Sequence, residues 1–458
     1  MTAVMHRAFA VWLAELDRWD PMSFHGVDWN WPASLMAPVG SVLHLRKEPV
    51  DRAKHAFSGL QPITIHFDGS VDRRKVDSNR EYSMDLFRAH PGDIVVAKID
   101  LKNGAVGIVP NWEDVVVTGH FAVYEPDRIK IVPEYFARII QAPFFKAYLW
   151  RNKVGAEGRK EVKLDFFEAA RIPLPPLATQ QAILAEWLKA RQAIASAEER
   201  IKKIEVETDR QFFADLGLKA PGSEEAPKAF AVSWTDFSRW SVSYNQTALT
   251  GMDLTRGQYA VVSLGAVLQL VQYGTSEKAN TRGEGVPVVR MNSIVNGVLD
   301  MAALKHVELR EKERRRLVLL DGDILFNRTN SKELVGKCAV FHEHGEFVFA
   351  SYIIRIRVQT EQASPDFVVH ALNSPIGRQQ INAMSRQIIG QANINSQELR
   401  SLQLPLPPLA IQRRIMEKVT DGRTRIARER ETARALACQI EADMEAYLLG
   451  TKKVAGVA

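Results

Sequence analysis

Cysteine is scarce in this chain, whose 458 residues include only Cys338 and Cys438. One such chain cannot build a disulfide framework or a four-cysteine zinc site, and a reducing, cytoplasmic compartment is expected. Long hydrophobic runs are also missing, since no stretch approaches the roughly 18 consecutive apolar residues of a membrane-spanning helix. The apolar piece at residues 8–13 is followed at once by acidic residues, a pattern that does not fit a secretory signal.

Sequence motifs of nucleotide and methyl-donor chemistry are absent as well. The chain contains no GxxxxGKS/T phosphate loop, and no GxGxxG stands between a predicted strand and helix. The tetrapeptides Asn-Pro-Pro-Tyr and Asn-Pro-Pro-Phe, typical of methyltransferases, are also missing. The sequence therefore predicts no cofactor bound by the chain itself.

Charge of either sign is nearly balanced. The 60 lysines and arginines exceed the 54 acidic residues by six, and the pI is about 9.1. A mildly basic chain suits a polyanionic partner without establishing one. With 46% apolar residues, a chain of this length can bury the cores of two or three domains.

What the chain does contain is an internal repeat. Residues 172–180 read Ile-Pro-Leu-Pro-Pro-Leu-Ala-Thr-Gln, and residues 404–412 read Leu-Pro-Leu-Pro-Pro-Leu-Ala-Ile-Gln. The offset between these two proline boxes, 405 − 173 = 232, also relates Pro133 to Pro365. Matched flanks indicate two halves of one design rather than a lone proline-rich linker. Further matches are Pro143 with Pro375, Gly158 with Gly390 and, at an offset of 230, Gly-Asp-Ile at 92–94 with 322–324.

Each half reads as short strands and turns followed by helix. In the first half, alternating apolar runs lie within residues 42–124 and are broken by Pro, Gly and Asp. Residues 133–149 then read as a helix with one interruption at a proline. The second half repeats this order, with strand candidates within 261–358 and a helix over 365–381. A short amphipathic helix is also predicted at residues 3–18.

A long helix is predicted after each box. From Gln180 to about Phe213, apolar residues recur at alternating three- and four-residue steps, the spacing of a coiled coil. The same steps recur 232 residues later, from Gln412 to Leu449, where Glu429 interrupts the apolar row. Two matching seams predict an antiparallel, coiled-coil-like pair with pseudo-two-fold symmetry; the alternative is two surface helices, each packed on its own half. The seam residues are Trp187, Ile194, Ile201, Ile204, Val419, Ile426, Leu436 and Ile440.

Two short motifs fit a metal ion, but each has a simpler interpretation. His342–His344 lie between two predicted strands with no third ligand at a useful spacing, which favours a polar turn. Glu161–Lys163 has the Glu-x-Lys form of some nucleases, with Asp93 as the nearest upstream aspartate. The matching positions in the other half, Asn393–Asn395, cannot bind a metal in that way. No catalytic residue or metal site is therefore predicted.

The paired boxes and long helices resemble the specificity subunit of Type I restriction–modification enzymes, over nearly the whole chain. Residues 322–328, 335–337 and 390–395 look like the sheet turn and the pre-box loop of such subunits, and residues 272–276 look like the early loop of a recognition domain. The first half is less similar, because Lys98 stands where the second half has Arg328.

The resemblance implies an α+β fold with two similar, mixed α/β target recognition domains, each followed by a long helix. The predicted segments are 1–172 for the first recognition domain, 173–215 for its box and helix, 216–230 for a linker, 231–404 for the second recognition domain, and 405–450 for the second box and helix.

The resemblance also implies a non-catalytic subunit that reads a bipartite, asymmetric target in double-stranded DNA. The helix pair would set the unread gap and dock two methyltransferase subunits, which bind S-adenosylmethionine. A restriction subunit with translocase and nuclease activity would complete the complex.

Polar and basic residues on loops are the candidate DNA contacts. Arginine can pair with guanine, and asparagine with adenine, through two hydrogen bonds in the major groove. For the loop after Arg328 the simpler interpretation is a solvated turn, and residues 310–316 read as an exposed helix of mixed charge. The candidates are Arg328, Asn330, Ser331, Lys332, Gln391, Asn393, Asn395, Tyr273, Thr275, Lys98, Arg159 and Lys160.

Two other functions fit part of the sequence. A helical scaffold would bind protein rather than DNA, and would lack the strong salt dependence that phosphate contacts give to DNA binding. A metal-dependent nuclease would cut DNA as an isolated chain and lose that activity on Glu161→Ala.

Overall fold

The chain forms two compact units. In the computed structural model the first unit comprises residues 1–197 and 431–458, and the second comprises residues 198–430. The predicted helix at residues 3–18 and the candidates Arg159 and Lys160 lie outside the described residues. Those described are 26–51, 59–74, 85–154, 161–220, 229–234, 241–388 and 391–454.

The first unit is built on short strands joined by tight turns. Two four-stranded sheets carry most of it, and the strand pair β1–β10 joins the start of the unit to its proline box. The strands are β1 (Met36–Pro38), β2 (Leu43–Arg46), β3 (Gln61–Ile65), β4 (Val71–Arg73), β5 (Leu86–Arg88), β6 (Ile94–Ala97), β7 (Val106–Ile108), β8 (Val115–Thr118), β9 (Phe121–Pro126) and β10 (Arg171–Pro173). The sheet orders are β2–β9–β6–β7 and β4–β3–β8–β5.

The first two helices of the first unit begin at the two prolines of the helix predicted over residues 133–149. Helix α1 (Pro133–Gln141) and helix α2 (Pro143–Arg151) each carry a proline in the first turn, where its missing N–H breaks no helical hydrogen bond. Helix α3 (Leu164–Ala169) precedes the box, and the long helix α4 (Leu177–Asp215) starts in this unit. The core is mainly aliphatic, and its fully buried aromatic residues include Tyr124, Tyr135, Phe136, Phe145 and Phe167.

The second unit repeats the plan with added strands. Its main sheet has the order β12–β21–β17–β19, and β18–β23–β22 forms a separate sheet. The strands are β11 (Val261–Ser263), β12 (Leu268–Tyr273), β13 (Val286–Val289), β14 (Ile294–Val295), β15 (Val298–Leu299), β16 (Lys305–Val307), β17 (Ile324–Asn327), β18 (Thr329–Asn330), β19 (Cys338–Val340), β20 (Val348–Phe349), β21 (Ile353–Val358), β22 (Arg386–Ile388), β23 (Gln391–Asn393) and β24 (Gln403–Pro405). The helices are α5 (Val242–Thr250), α6 (Glu311–Leu317), α7 (Pro365–Asn373), α8 (Pro375–Met384) and α9 (Ser396–Arg400), and α10 (Leu409–Leu449) starts here.

Three details differ from the sequence prediction. The single strand expected over residues 347–358 is two strands, β20 and β21. Gln272, expected in a loop, belongs to β12, where it pairs with Arg355 of β21 and its Oε1 also accepts from the guanidinium of that residue. Leu216 and Leu218, placed in the predicted linker, are buried in the second unit.

A glycine cap explains the burial of these leucines. Gly217 has φ of 70°, a left-handed conformation that glycine adopts without strain. It lets the N–H of Leu218 donate to the carbonyl of Phe213 at 2.8 Å, and its own N–H donate to Ala214 at 2.9 Å. This pattern is a Schellman motif, so the chain turns back onto the core directly after α4.

The repeated Gly-Asp-Ile sequence marks the same buried carboxylate in both units. Asp93 lies 2.9 Å from Nε of Arg46 and accepts the N–H of His90 at 2.9 Å. Asp323 is fully buried and accepts hydrogen bonds from Arg357 at 2.8 and 3.0 Å. The paired arginine comes from β2 in the first unit, whereas in the second unit Arg357 and Arg355 both pair with Asp323 from β21. The sequence repeat alone therefore does not identify the partners.

The glutamine that ends the first proline box is completely buried and holds the start of α4. Its Oε1 accepts the N–H of Val132 at 2.9 Å, and its Nε2 donates to the carbonyls of Lys130 at 2.9 Å and Pro175 at 2.8 Å. Gln180 thereby joins the first turn of the long helix to the loop that leads into α1.

Gln412 makes the same three hydrogen bonds in the second unit. Its Oε1 accepts the N–H of Ser364 at 2.8 Å, and its Nε2 donates to the carbonyls of Gln362 at 2.9 Å and Pro407 at 2.7 Å. Each partner lies 232 residues after its counterpart (130 + 232 = 362; 132 + 232 = 364; 175 + 232 = 407). The internal repeat therefore includes the individual hydrogen bonds of the two glutamines.

Within the second unit, α4 and α10 pack side by side in antiparallel orientation. Lys418 pairs with Asp215 at 2.7 Å, and Arg200 pairs with Glu429 at 2.9 Å, so residue numbers rise along one helix as they fall along the other. Glu429 is the residue that interrupts the apolar row, and the Arg200 pair accounts for a carboxylate at that position.

The close approach of these two helices depends on a glycine. A Cβ at Gly422 would lie 2.3 Å from Oγ1 of Thr208. Among the predicted seam residues, Val419 and Ile440 are buried, whereas Trp187, Ile194, Ile201, Ile204, Ile426 and Leu436 are half-buried.

In the first unit, the end of α10 is capped by the segment before β1. The N–H of Asn30 donates to the carbonyl of Leu449 at 2.8 Å, and the indole N–H of Trp31 donates to that of Leu448 at 2.8 Å. These bonds satisfy carbonyls that a helix end leaves without partners.

Candidate nucleic-acid interface

Three of the candidate residues meet in the second unit, although they lie far apart in sequence. The guanidinium carbon of Arg328 lies 4.8 Å from the ring centroid of Tyr273, a cation–π contact. Nη2 of Arg328 donates to Oδ1 of Asn393 at 3.3 Å. The hydroxyl of Tyr273 accepts the N–H of Ser396 at 3.1 Å. We call Tyr273, Arg328 and Asn393 the Arg328 cluster.

The backbone fixes Arg328 at the junction of two sheets. It is the single residue between β17, which is buried along its length, and β18, which pairs with β23. Its N–H donates to the carbonyl of Tyr352 at 2.9 Å, and its carbonyl accepts the N–H of Ile394 at 2.9 Å. Two strands thus leave the side chain little freedom of direction.

Arg328 has more hydrogen-bond donors than its partners in the cluster use. A guanidinium carries five N–H donors, and Asn393 accepts from one nitrogen of Arg328. Nε of Arg328 is buried and has no hydrogen-bond partner among the described residues. The side chain as a whole is half-buried, while Tyr273 is exposed. A fixed, partly exposed guanidinium can contact a base edge or a phosphate.

Two other candidates make hydrogen bonds within the protein. Thr275 is buried, and its hydroxyl donates to Glu313 at 3.2 Å. Asn395 caps α9, because its Oδ1 accepts the N–H groups of Gln397 and Glu398, each at 2.9 Å. The Thr275 hydroxyl and Oδ1 of Asn395 are therefore engaged within the protein in this conformation, and both residues remain predicted contacts.

The remaining candidates of the second unit lie around the cluster. Asn330 belongs to β18, and its Oδ1 accepts the N–H of Ser331 at 2.9 Å. Ser331 begins a turn in which Lys332 is exposed. Gln391 is exposed on β23, two residues before Asn393. These residues remain predicted contacts.

The first unit has a different set of side chains at the corresponding positions. Val154 pairs with Glu161 just as Arg386 pairs with Asn393 in the second unit, so Glu161 occupies the place of Asn393. Lys98 follows β6 as Arg328 follows β17, but its ammonium donates to the carbonyl of Gly119 at 2.8 Å. The structure therefore does not bring Lys98 and Glu161 together.

Glu161, the candidate acid of the nuclease interpretation, is bound to its own neighbour. Its Oε1 accepts from Nζ of Lys163 at 2.7 Å, and this hydrogen bond raises the pKa of Lys163. Among the described residues, no group of three or more His, Cys, Asp or Glu side chains is placed to hold a metal ion. In the same part of the chain, no helix is long and apolar enough to cross a membrane.

Sequence reasoning missed one exposed aromatic residue beside the cluster. Tyr352 lies in the break between β20 and β21, and about half of its surface is exposed. Its carbonyl accepts a hydrogen bond from the N–H of Arg328. No sequence pattern indicated this residue, because the expected continuous strand over 347–358 places Tyr352 inside a sheet.

Comparison with known proteins shows the same two-part organisation. A family model described as Type I restriction modification DNA specificity domain matches residues 82–206 and 257–433, together more than half of the chain. The chain is 28% identical over 404 residues to the Type I restriction enzyme EcoKI specificity subunit of Escherichia coli (strain K12), covering 84% of this chain and 81% of that protein. It is 25% identical over 397 residues to the StySPI specificity subunit of Salmonella potsdam, covering 84% and 80%.

A solved structure shares the fold. It comes from work on complex assembly and conformational transition of the type I R-M system, and it aligns with a TM-score of 0.60 at 16% identity. The alignment covers 90% of this chain and 97% of that chain.

Two similar α+β domains, each ending in a proline box and a long helix, define a DNA-specificity class of protein. The family match over both halves makes this assignment specific. The chain belongs to the family of Type I restriction–modification specificity subunits, as the resemblance predicted.

Proposed function

We propose that this chain is the non-catalytic subunit that reads a bipartite target in double-stranded DNA for a Type I restriction–modification complex. Each unit reads one part of the target, and the second does so through the Arg328 cluster. The observation that carries this proposal is the guanidinium of Arg328, stacked on Tyr273 and bonded to Asn393 while part of it remains exposed. A guanidinium fixed in this way suits the two acceptors of a guanine in the major groove.

The same proposal includes the partners. Methyltransferase subunits, two per specificity subunit, dock on the paired helices α4 and α10 and bring S-adenosylmethionine, and restriction subunits join that complex. The distance along the helices sets the gap between the two parts of the target, as fixed spacing does in dimeric DNA readers. The repeated glutamine contacts of the two boxes support this arrangement, since each ties a long helix to its own unit.

Mapping methylated adenines in the host genome tests the proposal directly. A two-part motif should be present with the gene and vanish on its deletion. Arg328→Ala should then relax one base position in one part of the motif, because a bidentate arginine–guanine pair contributes about 1–3 kcal/mol of discrimination. Arg328→Lys should relax the same position, since lysine cannot reproduce the two parallel N–H donors.

The matched control is Arg256→Ala, which removes an arginine whose side chain is 83% exposed and paired with Asp253. It should leave the methylated motif unchanged. The isolated chain should bind duplex DNA with strong salt dependence, yet neither methylate nor cut it. A motif without two parts, or methylation by the chain alone, would contradict the proposal.

A further inference from the structure

The sheet edge that carries Arg328 has a counterpart in the first unit. Strand β6 pairs with β9, and Ala97 at the end of β6 lies opposite Phe121. Strand β17 pairs with β21 in the same way, and Asn327 at its end lies opposite Ile353. The two partner residues differ by the offset of the repeat (121 + 232 = 353). The residue before β9 therefore corresponds to the residue before β21.

His120 occupies in the first unit the position of Tyr352 in the second. The carbonyl of His120 accepts the N–H of Lys98 at 3.0 Å. In the second unit the carbonyl of Tyr352 accepts the N–H of Arg328 at 2.9 Å. Because the same backbone hydrogen bond recurs, His120 corresponds to the exposed aromatic residue beside the Arg328 cluster.

Lys47 occupies the position of Tyr273, the ring on which the guanidinium of the Arg328 cluster stacks. Arg46 of β2 lies opposite Val123 of β9, and Gln272 of β12 lies opposite the residue 232 positions farther on (123 + 232 = 355). Lys47 and Tyr273 are the next residues along β2 and β12. The first unit thus has a lysine and a histidine where the second unit has two tyrosines.

The side chains of Lys47 and His120 are both available to a ligand. Each is exposed, and within the described part of the chain neither has a hydrogen-bond or ion-pair partner. Glu48, the carboxylate that follows Lys47, lies 2.8 Å from Nε2 of His90 and 3.9 Å from Nε of Arg88. The hydrogen bond with His90 lowers the pKa of Glu48, so this carboxylate is ionised and pairs with those two cations. The ammonium of Lys47 is left for an external anion.

One lysine fixes the turn that carries His120. Gly119 and His120 are the two residues between β8 and β9, which belong to different sheets. Besides its backbone N–H, which donates to His120, Lys98 donates from Nζ to the carbonyl of Gly119 at 2.8 Å. Both residues of the turn are therefore held by Lys98. A turn fixed in this way gives the imidazole a defined position, as a contact to a base edge requires.

The two side chains suit different parts of a duplex. Each nitrogen of an imidazole can donate or accept a hydrogen bond, which suits a base edge. Lysine carries a point charge on a flexible stem, which suits a phosphate. We propose that His120 reads a base edge in the part of the target bound by the first unit, and that Lys47 binds a neighbouring phosphate. This inference rests on the proposed function and adds two contacts to those predicted from the sequence for the first unit, namely Lys98, Arg159 and Lys160.

Mapping methylated adenines in hosts that carry variants of the gene tests the base contact. His120→Ala should relax one base position in the part of the motif that Arg328→Ala leaves unchanged. His120→Phe should relax the same position, because it keeps a planar ring but removes both nitrogens. The full chain, in complex with its methyltransferase subunits, should bind a duplex with the mapped target about tenfold more weakly in both variants, as expected for the loss of one base contact.

The salt dependence of binding by the same complex tests the phosphate contact. Lys47→Ala should lower this dependence by about one phosphate and leave the methylated motif unchanged. Its control is Lys130→Ala, at a lysine with a 52% exposed side chain that follows the opposite end of β9 from His120. The control for the histidine is His44→Ala, at an exposed residue that lies opposite Glu125 near the same far end of β9. Neither control should change the motif, the affinity or the salt dependence.

Three results overturn the inference in whole or in part. An unchanged motif in both His120 variants rules out the base contact, and an unchanged salt dependence in Lys47→Ala rules out the phosphate contact. A change in the same part of the motif that Arg328→Ala relaxes rules out the assignment to the first unit. If His120→Ala fails to fold, the motif of His120→Phe decides.

The failure of this inference and of the proposed function give different results. If Arg328→Ala relaxes one part of the motif while the His120 variants leave both parts intact, only the contacts of the first unit are wrong. If no two-part motif in the host genome depends on this gene, the proposed function is wrong as well.

Discussion

Replacing Gln412 tests how the second proline box joins its helix to the rest of the unit. The side chain is completely buried and makes three hydrogen bonds, all to backbone atoms. Gln412→Ala removes one acceptor and two donors at once. It leaves the N–H of Ser364 and the carbonyls of Gln362 and Pro407 without their partner.

The size of the effect follows from the burial of these groups. A buried polar group without a partner costs about 1–3 kcal/mol. The bond to Pro407 is buried, whereas those to Ser364 and Gln362 are part-buried, so water can replace some of the loss there. We therefore expect Gln412→Ala to destabilise the second unit by about 3 kcal/mol.

Gln412→Glu adds a pH dependence of known sign. In this variant a carboxylate oxygen replaces the amide nitrogen that donated to two carbonyl oxygens. Repulsion from those carbonyls favours the protonated glutamate, so its pKa is raised in the folded state. The variant is therefore most stable below the pKa of the unfolded chain and loses stability as the pH rises through the folded pKa. Exposed Gln397→Glu is the control, and its stability should not show this dependence.

Hydrogen exchange measured by mass spectrometry localises the effect. In Gln412→Ala, the peptide containing Ser364 should exchange faster, while the peptide containing Val132 should not. Gln180→Ala should give the opposite pattern, so each unit is the control for the other. Equal exchange in both peptides, or a loss of stability no larger than that of Gln397→Glu, would refute the reasoning.

Three further predictions concern residues near the paired helices of the second unit. Gly422→Ala should destabilise the second unit by up to about 2 kcal/mol, because overpacking against Thr208 outweighs the gain in helix propensity. In a Thr208→Ala background the same substitution should stabilise the unit. Thermal unfolding of the wild type, both single variants and the double variant measures this change of sign. Burial lowers the pKa of His370 to about 4, below that of a histidine in the unfolded chain. The free energy of unfolding should therefore fall by about 2 kcal/mol between about pH 7.5 and pH 5, because the unfolded chain takes up the proton more readily. Denaturant titrations should show that His370→Gln removes this loss, whereas the control His344→Gln, at an exposed histidine, does not. Glu429→Leu should change the unfolding free energy by no more than about 1 kcal/mol, since a half-exposed ion pair contributes little; a larger loss would show that the pair stabilises the helices more than its exposure suggests.

For much of the candidate site, the sequence predicted which residues could contact DNA but not which of them lie together. Arg328, Asn393 and Tyr273 were all candidates, because polar and basic residues on loops suit nucleic acid. The sequence did not show that they touch, since the contact depends on β18 leaving β17 to pair with β23. Thr275 and Asn395 are also polar residues, but Thr275 donates a hydrogen bond to Glu313 and Asn395 caps α9.

By itself, the sequence determined the duplicated plan, the succession of short strands and a proline-led helix in each half, and the long helix after each box. These follow from local patterns, namely proline in the first helical turn, glycine in left-handed turns and apolar residues at helical spacing, which act over a few neighbouring residues. Tertiary structure alone decided which arginines neutralise each buried aspartate, which backbone groups the box glutamines bind, and that Lys47 and His120 of the first unit occupy the positions of Tyr273 and Tyr352. Such contacts join residues far apart in the chain, and their partners are chosen by the packing of strands rather than by any pattern along the sequence.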